Sequence, residues 1–381
     1  METKTKRILI LGGGFGGLVT AEKLAESIGS DHEITLVSPN RKFTFYPALV
    51  RLAFGKLKEE DVTFDLAEKL SDIGVKFVEG EVLHLKPEIH RVQVAGKEFN
   101  GEISYDHLVI AMGRRLATEK IYGFFDHANH LLGVKAAQKF AKAVDEFKSG
   151  NIVVGLSPDA FLPVPVCETA FALADRLLAD PAENDVKISV VFPKTVKDAF
   201  GGANIHETLE EAFSKHNIEL IEDFPITKIL KNKVFTSDEK EIPYDLLMLI
   251  PPFRGQARLM ENRITDDLNF VEVDRYLRVE GMKNAYAVGD IVAYPGPKLA
   301  HIAVAQANVA AENIISELQG DEPKEVYYHE IAAIIDQGGS DSIYLNYGFW
   351  DDSVYRLKTG SMWGMVKRIH DKLWRNRHGK T

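Results

Sequence analysis

Cysteine is the scarcest resource in this chain: there is one, Cys167. A lone thiol closes no intramolecular disulfide and forms no internal dithiol pair, so a disulfide framework and any two-thiol chemistry within one chain are excluded. Long apolar runs are also missing. None reaches the roughly 18 residues that a membrane-crossing helix needs. Basic residues are in deficit, 46 against 56 acidic ones, and the resulting net charge of −10 argues against general nucleic-acid binding. His107, His130, His206 and His301 show no metal-ligand spacing, so no metal site is expected. The polar start, residues 1–7, has no charged, apolar and small-residue order of a signal peptide, which places the body of the protein in the cytoplasm as an expectation.

What is present is apolar strand followed by glycine. Arg7-Ile8-Leu9-Ile10-Leu11 reads as a strand buried on both faces of a parallel sheet. It runs into Gly12-Gly13-Gly14-Phe15-Gly16-Gly17 and then into a segment of helical spacing. Gly12, Gly14 and Gly17 fit G-x-G-x-x-G in strand–turn–helix context, a pattern that permits a tight turn, close approach to a pyrophosphate and tight helix packing. Phe15 and Gly16 lie within the same turn. The next strand ends at Ser38 where a carboxylate for ribose would be expected; Ser38 and Asn40 offer a hydroxyl and an amide instead. An apolar segment ends in Ala111-Met112-Gly113. Far downstream, Ala285-Tyr286-Ala287-Val288-Gly289-Asp290 is a strand that delivers a carboxylate to the C-terminal edge of a sheet. The Ala-rich stretch from Ala303 to Ile315 reads as a helix.

These segments, in this order, resemble flavoproteins with two dinucleotide-binding domains. The expected fold is therefore α/β: two Rossmann-like domains plus a small C-terminal region with an amphipathic helix. The expected boundaries are 1–114 with 266–320 for the FAD-binding domain, 115–265 for the second, and 321–381 for the C-terminal region, with a helix at about 361–376. The resemblance implies FAD, with Gly12, Gly14, Gly17, Ser38, Ala111, Gly113, Gly289, Asp290 and Ala303 lining it, and Val82 as a backbone contact to adenine. His301 and Ile302, which lead into the Ala303 helix, belong to the same expected set, as do Phe15, Gly16 and Asn40.

The second domain is expected to lack a working nicotinamide site. Its turn, Gly155-Leu156-Ser157-Pro158-Asp159-Ala160-Phe161-Leu162-Pro163, has one glycine and two prolines, and its second strand ends in Pro193-Lys194 without a carboxylate. Phe43-Thr44-Phe45-Tyr46-Pro47, Pro165-Val166-Cys167-Glu168, Gly201-Gly202 and Pro297-Lys298 resemble the sulfide:quinone oxidoreductases and flavocytochrome c sulfide dehydrogenases. That resemblance implies a peripheral membrane flavoenzyme passing electrons to a quinone. It also implies a cysteine pair, of which Cys167 matches the first; the second position falls near Ala333, where there is none. The two-cysteine route to sulfide oxidation is thus excluded for this chain alone. Cys167 is either a catalytic thiol favoured as thiolate by a helix N-terminus, or a small buried residue where a helix meets a sheet.

From Ser361 to Trp374 the apolar residues Met362, Met365, Val366, Ile369 and Leu373, with both tryptophans, fall on one half of a helix, and Lys367, Arg368, Lys372 and Arg375 on the other. This pattern reads as a membrane-surface anchor, attaching the protein to the inner face of the cell membrane. Phe349, Trp350 and Tyr355 read as core, with the lining of a quinone pocket near the anchor as the alternative. The expected function is an FAD-dependent oxidoreductase that reduces quinone, its donor sulfide, another sulfur species or NADH. A type II NADH:quinone reductase with a degenerate nicotinamide site and a non-catalytic flavin-binding subunit are the alternatives. No nucleic-acid partner is expected; the sequence leaves homo-oligomerisation open, as it does covalent attachment of the flavin.

Overall fold

The computed structural model describes residues 5–178, 185–339, 341–351 and 354–379. Residues 1–4, part of the polar start, lie outside them. In chain order the first unit contributes β1 (Arg7–Leu11), β2 (Glu33–Ser38), β3 (Lys76–Glu79) and β4 (His107–Ile110), with helix α1 (Phe15–Ile28) after β1. Next come β5 (Gly150–Leu156), helix α2 (Val164–Leu177), β6 (Val186–Val191), β7 (Ile218–Ile221) and β8 (Leu246–Ile250). The chain then returns with β9 (Ala285–Ala287) and helix α3 (Ala300–Leu318). It ends in β10 (Glu330–Asp336), β11 (Ser342–Gly348), β12 (Tyr355–Thr359) and helix α4 (Ser361–Gly379).

The first sheet has the order β9-β4-β1-β2-β3 and the second β7-β6-β5-β8, with every pairing in both parallel. Each places its first strand centrally and reverses direction beside it, the crevice where doubly wound folds bind ligands. Burial explains why these strands form. Ile8 to Leu11 and Leu246 to Ile250 are at most 5% exposed, so they are covered on both faces and read as unbroken apolar runs.

The fold is the expected one, two Rossmann-like units with a C-terminal region. Several details differ from expectation. Helix α2 begins at Val164, because Pro163 and Pro165 sit where a helix start leaves N–H groups unpaired anyway. The segment Ser342–Gly348 is one strand, β11, central in an antiparallel sheet β10-β11-β12. Phe349 belongs to the core: a Cβ on Gly201 or Gly296 would meet its ring at 2.4 or 2.2 Å. Trp350 and Tyr355, by contrast, are 49% and 40% exposed.

The C-terminal helix is docked on a face that mixes polar and aromatic side chains. Residues 367, 371, 374 and 378 recur at helical spacing on one face. Along that face Lys367 reaches Glu168, Trp374 packs against Phe15, Phe43 and Phe45 with ring centroids 4.8, 5.4 and 5.1 Å away, and His378 Nδ1 meets Glu22 at 2.5 Å. Trp363 stacks on Tyr344 at 4.4 Å. Both tryptophans and Lys367 therefore sit opposite to the expected partition. What α4 leaves outside is the stripe Met362, Met365, Val366, Ile369 and Leu373, from 38% exposed at Val366 to 63% at Leu373.

Candidate functional site

The three glycines of the first turn do three different things. Gly12 has φ +111°, and a Cβ there would lie 2.1 Å from the Ala111 carbonyl oxygen. A Cβ on Gly17 would lie 1.9 Å from the Gly12 carbonyl oxygen, so Gly17 allows α1 to press onto the turn. Gly14 has nothing within 4 Å of that position and faces open space. It precedes a helix start with no side-chain cap and no acidic residue in its first turn, which leaves N–H groups free for a phosphate.

That space is a cleft of about 1190 Å³ running from Ser38 and Asn40 past the turn to Gly289 and Asp290 and on to Leu131, Leu162 and Glu168. It exceeds the volume of an ordinary small-ligand pocket, about 300–1,000 Å³, and suits an extended dinucleotide. Gly12, Gly14, Phe15, Gly16, Ser38, Asn40, Val82, Ala111, Gly113, Gly289, Asp290 and Ala303 all line it. Gly17, Ile302, His301 and Cys167 do not. Gly17 works behind the turn, and Ile302 is buried in the core. His301 turns toward β10, where its Nε2 lies 2.9 Å from Ala332 N and 3.2 Å from the Glu330 carbonyl oxygen, and burial lowers its pKa.

Within the cleft the polar atoms have defined partners. Ser38 Oγ accepts from Asn40 N–H at 3.2 Å, closing a small turn rather than standing free. The Val82 carbonyl accepts from Arg258. Gly289 N–H donates to Gln306 Oε1 at 2.6 Å. Asp290 is paired with Arg114, a residue the sequence gave no reason to single out. Arg114 lies over the Phe253 ring at 4.3 Å, its Nε buried without a partner, and burial depresses its pKa to about 10. An unpartnered guanidinium N–H and a carboxylate at the C-terminal edge of the sheet are a donor and an acceptor for a polyol-phosphate cofactor, and the residues fit FAD. Lys298 is a further unexpected lining residue: buried, it donates to the carbonyls of Val292 at 2.5 Å and Tyr294 at 3.2 Å. Burial pulls its pKa down to about 7.

Cys167 requires a correction. Expected either as a catalytic thiolate or as a small buried residue, it is fully buried in the core on α2 and does not line the cleft, which favours the second reading. Burial first, then the charge of Glu168, raises its thiol pKa above the ordinary value, outweighing any help from the helix start. The cleft position on α2 is taken by Glu168. Its Oε1 accepts from Asp336 N–H at 2.9 Å and from Lys367 Nζ, brought from α4. Burial raises the Glu168 pKa. For Lys367 burial alone would lower it, but the carboxylates of Glu168 and Asp371 prevail and raise it. Lys367 also donates to the Ile334 carbonyl at 3.2 Å. Ala333, the place of the absent second cysteine, is 7% exposed on β10.

The corresponding turn of the second unit is closed. Ser157 N–H donates to Ile250 O at 3.0 Å and Ala160 N–H to Ser157 O at 3.1 Å. Its carbonyls are taken too: Asp159 O by Phe253 N–H at 2.9 Å and Phe161 O by Lys298 N–H at 2.7 Å. Asp159 pairs with Arg254 at 2.8 Å.

Comparison with known proteins agrees with this geometry. Residues 6–307 match the family described as pyridine nucleotide-disulphide oxidoreductase. The chain is 26% identical over 352 residues to the sulfide-quinone reductase of Aquifex aeolicus, covering 86% of this chain and 80% of that one. It is 24% identical over 381 residues to the type II NADH:quinone oxidoreductase of Staphylococcus aureus, with 91% of each covered. The solved sulfide:quinone oxidoreductase of Aquifex aeolicus has the same fold, with a TM-score of 0.90 and 24% identity over 98% of this chain and 92% of that one. With a family match spanning most of the chain and a cleft that fits the flavin, this protein belongs to the pyridine nucleotide-disulphide oxidoreductase family and is an FAD-dependent oxidoreductase.

Proposed function

We propose that this chain reduces a quinone at a lipid surface. The observation that carries the reading is α4, which offers an apolar stripe to the outside and Lys367 to the inside of the cleft. One helix thus joins a lipid-facing surface to a buried acid–base pair, Glu168 and Lys367, beside the apolar side chains of Leu131, Leu162 and Val164. Such a wall receives an apolar ring, and Glu168, whose pKa burial raises, stands at the cleft where it can exchange a proton with the ring's carbonyl oxygen. Bound FAD supplies two-electron chemistry. The likeness to quinone reductases of two kinds supports the acceptor without choosing the donor.

In this reading, residues 1–114 with 266–320 hold the flavin, 115–265 form the inserted unit, and the protein attaches peripherally to the inner face of the membrane. No helix among the described residues is long and apolar enough to cross one. Anionic lipid suits the basic flank Arg368, Lys372, Arg375 and Arg377. Ile369→Glu with Leu373→Glu, both on the exposed stripe, should abolish binding to anionic vesicles, whereas retained binding removes the anchor. The same outcome is expected on deleting residues 362–381.

The acceptor is tested by mixing anaerobically reduced protein with a short-chain quinone and following the flavin band near ~450 nm. Rapid return of the band supports the reading, and no return defeats it. The donor is tested in parallel with sulfide and NADH. Bleaching by NADH would make the protein a type II NADH:quinone reductase despite the closed Gly155–Pro163 turn. Bleaching by no donor would favour a non-catalytic flavin subunit.

A further inference from the structure

A buried aromatic cluster stands behind the cleft wall, outside its lining. Tyr327 and His329, just before β10, are 2% and 3% exposed. The Tyr327 ring is stacked on Tyr294 at 5.6 Å. Trp350 stands edge-on to both, its ring centroid 5.9 Å from Tyr327 and 5.2 Å from Tyr294. Half of Trp350 is exposed, so a line of rings in contact runs from the interior to solvent. At the inner end the Gln306 side chain hydrogen-bonds the Tyr327 hydroxyl, and its Oε1 accepts from Gly289 N–H at 2.6 Å on the cleft wall.

The hydrogen bonds of His329 fix where its proton stands. Nε2 lies 2.8 Å from the Pro295 carbonyl oxygen, which can only accept, so Nε2 carries the N–H. Burial pulls the His329 pKa down to about 4, and the neutral ring therefore keeps a lone pair on Nδ1. Nδ1 is 2.9 Å from the Tyr327 oxygen, so the phenol O–H donates to it. A phenol that loses one electron becomes a strong acid, and it is oxidised readily only where a base takes the proton at once. Tyr327 has that base in place. Tyr294 differs: its O–H donates to the Asp274 carbonyl at 2.9 Å, and a carbonyl is no base. Phenylalanine at 327 and leucine at 329 would fill the same space without burying a hydroxyl and an imidazole; what the polar pair adds is a proton donor and its acceptor.

We propose that Tyr327 and His329 are a proton-coupled redox pair which, with Trp350, passes single oxidising equivalents from the cleft wall to the protein surface. This holds whether or not quinone is the acceptor. Flavin enzymes carry out one-electron and oxygen chemistry, and the oxidant is an oxygen-centred radical arising in the cleft. It takes one electron from the Tyr327 phenol and becomes an anion. The Tyr327 O–H bond breaks and an N–H bond forms on His329 Nδ1, leaving a neutral phenoxyl radical beside an imidazolium. Trp350 then gives one electron to Tyr327, the proton returns from His329 to the Tyr327 oxygen, and the indole N–H proton passes to water. A thiol or ascorbate-type reductant at the surface gives Trp350 one electron, and water returns its proton.

The test is pulse radiolysis of the full-length, flavin-loaded protein, with azide radical as the one-electron oxidant of exposed indole. Every sample carries Trp363→Phe, which removes a second stacked pair, Trp363 on Tyr344 at 4.4 Å. In that parent the indolyl band should decay while a phenoxyl band grows, in one first-order phase independent of protein concentration. Electrons then run from Tyr327 to Trp350, the reverse of the discharge through the same rings. Tyr327→Phe should abolish the phase, and so should Trp350→Phe, whose half-exposed position spares the fold. His329→Gln keeps a hydrogen-bond acceptor but no base, and should slow the phase at least roughly tenfold. Persistence of the phase in Trp350→Phe or Tyr327→Phe would overturn the route. An unchanged rate in His329→Gln would overturn the pair, as would indolyl decay without phenoxyl growth in the parent.

Discussion

At the end of β1 the chain passes from Gly12 to Gly17 and leaves Gly14 facing an open cleft, with the first N–H groups of α1 uncapped. At the end of β5, the equivalent strand of a sheet with the same order, it passes from Gly155 to Pro163 and takes up its own N–H and carbonyl groups in bonds to Ile250, Phe253 and Lys298. One turn keeps its hydrogen-bonding capacity for a ligand, and the other commits it mostly within the second unit, with one bond, to Lys298, reaching the first. The lesson is that a dinucleotide-binding topology does not make a dinucleotide site. The site depends on whether the backbone at the switch point is left unsatisfied, and two prolines are enough to commit it elsewhere.

The comparison can be broken most severely at Asp290. Asp290→Ala leaves the Arg114 guanidinium buried without its counter-charge, a change that costs about 3–5 kcal/mol where such pairs are broken. Purified protein should melt far lower and carry little flavin, as read by thermal denaturation and absorbance after gel filtration. Normal flavin content would show that the carboxylate is not a cofactor contact.

Next in size is Gly17→Ala. Its Cβ would collide with a backbone oxygen at 1.9 Å, so strand and helix must part, at a cost of about 3 kcal/mol. The same substitution in the second turn sharpens the contrast. At Gly155 the nearest atom is the flexible end of Leu249 at 3.0 Å, so Gly155→Ala should cost under ~1 kcal/mol and leave flavin content unchanged. Similar losses at both positions, measured by denaturant titration, would mean that the turns are not built differently.

The smallest expected effect concerns Lys298, which lines the first cleft and ties the second turn. Its folded pKa of about 7 lies below the unfolded value, so between about pH 7 and 10 the unfolded chain binds more protons. Stability should therefore rise with pH across that window. In Lys298→Met the slope should flatten; an unchanged slope would show that the ammonium is not held in the depressed state.

Much of this was legible along the chain. β1 read correctly because a continuous apolar run in a parallel sheet owes nothing to its neighbours' identities, and the Gly12 turn because its constraint is local backbone geometry. β10 was not read as a strand, since its buried Ile331, Ala333 and Ile335 alternate with Ala332 and Ile334, which are apolar as well and blur the period. Cys167 and Glu168 stood side by side in one motif, and sequence could not say which faced the cleft. That depended on where α2 begins and how it rotates against β10. Arg114 gave no signal, because its partner lies 176 residues away.

The amino-acid sequence by itself determined the two α/β units, the flavin turn, the closed second turn and the absence of a cysteine pair. Each of these follows from local chemistry: glycine where backbone must approach backbone, proline where an N–H is missing, one thiol and no second. Tertiary structure alone decided which face of α4 is inside. A helical wheel separates polar from apolar residues but assigns neither to the core, and here a buried carboxylate 199 residues away draws Lys367 inward and turns the apolar stripe out.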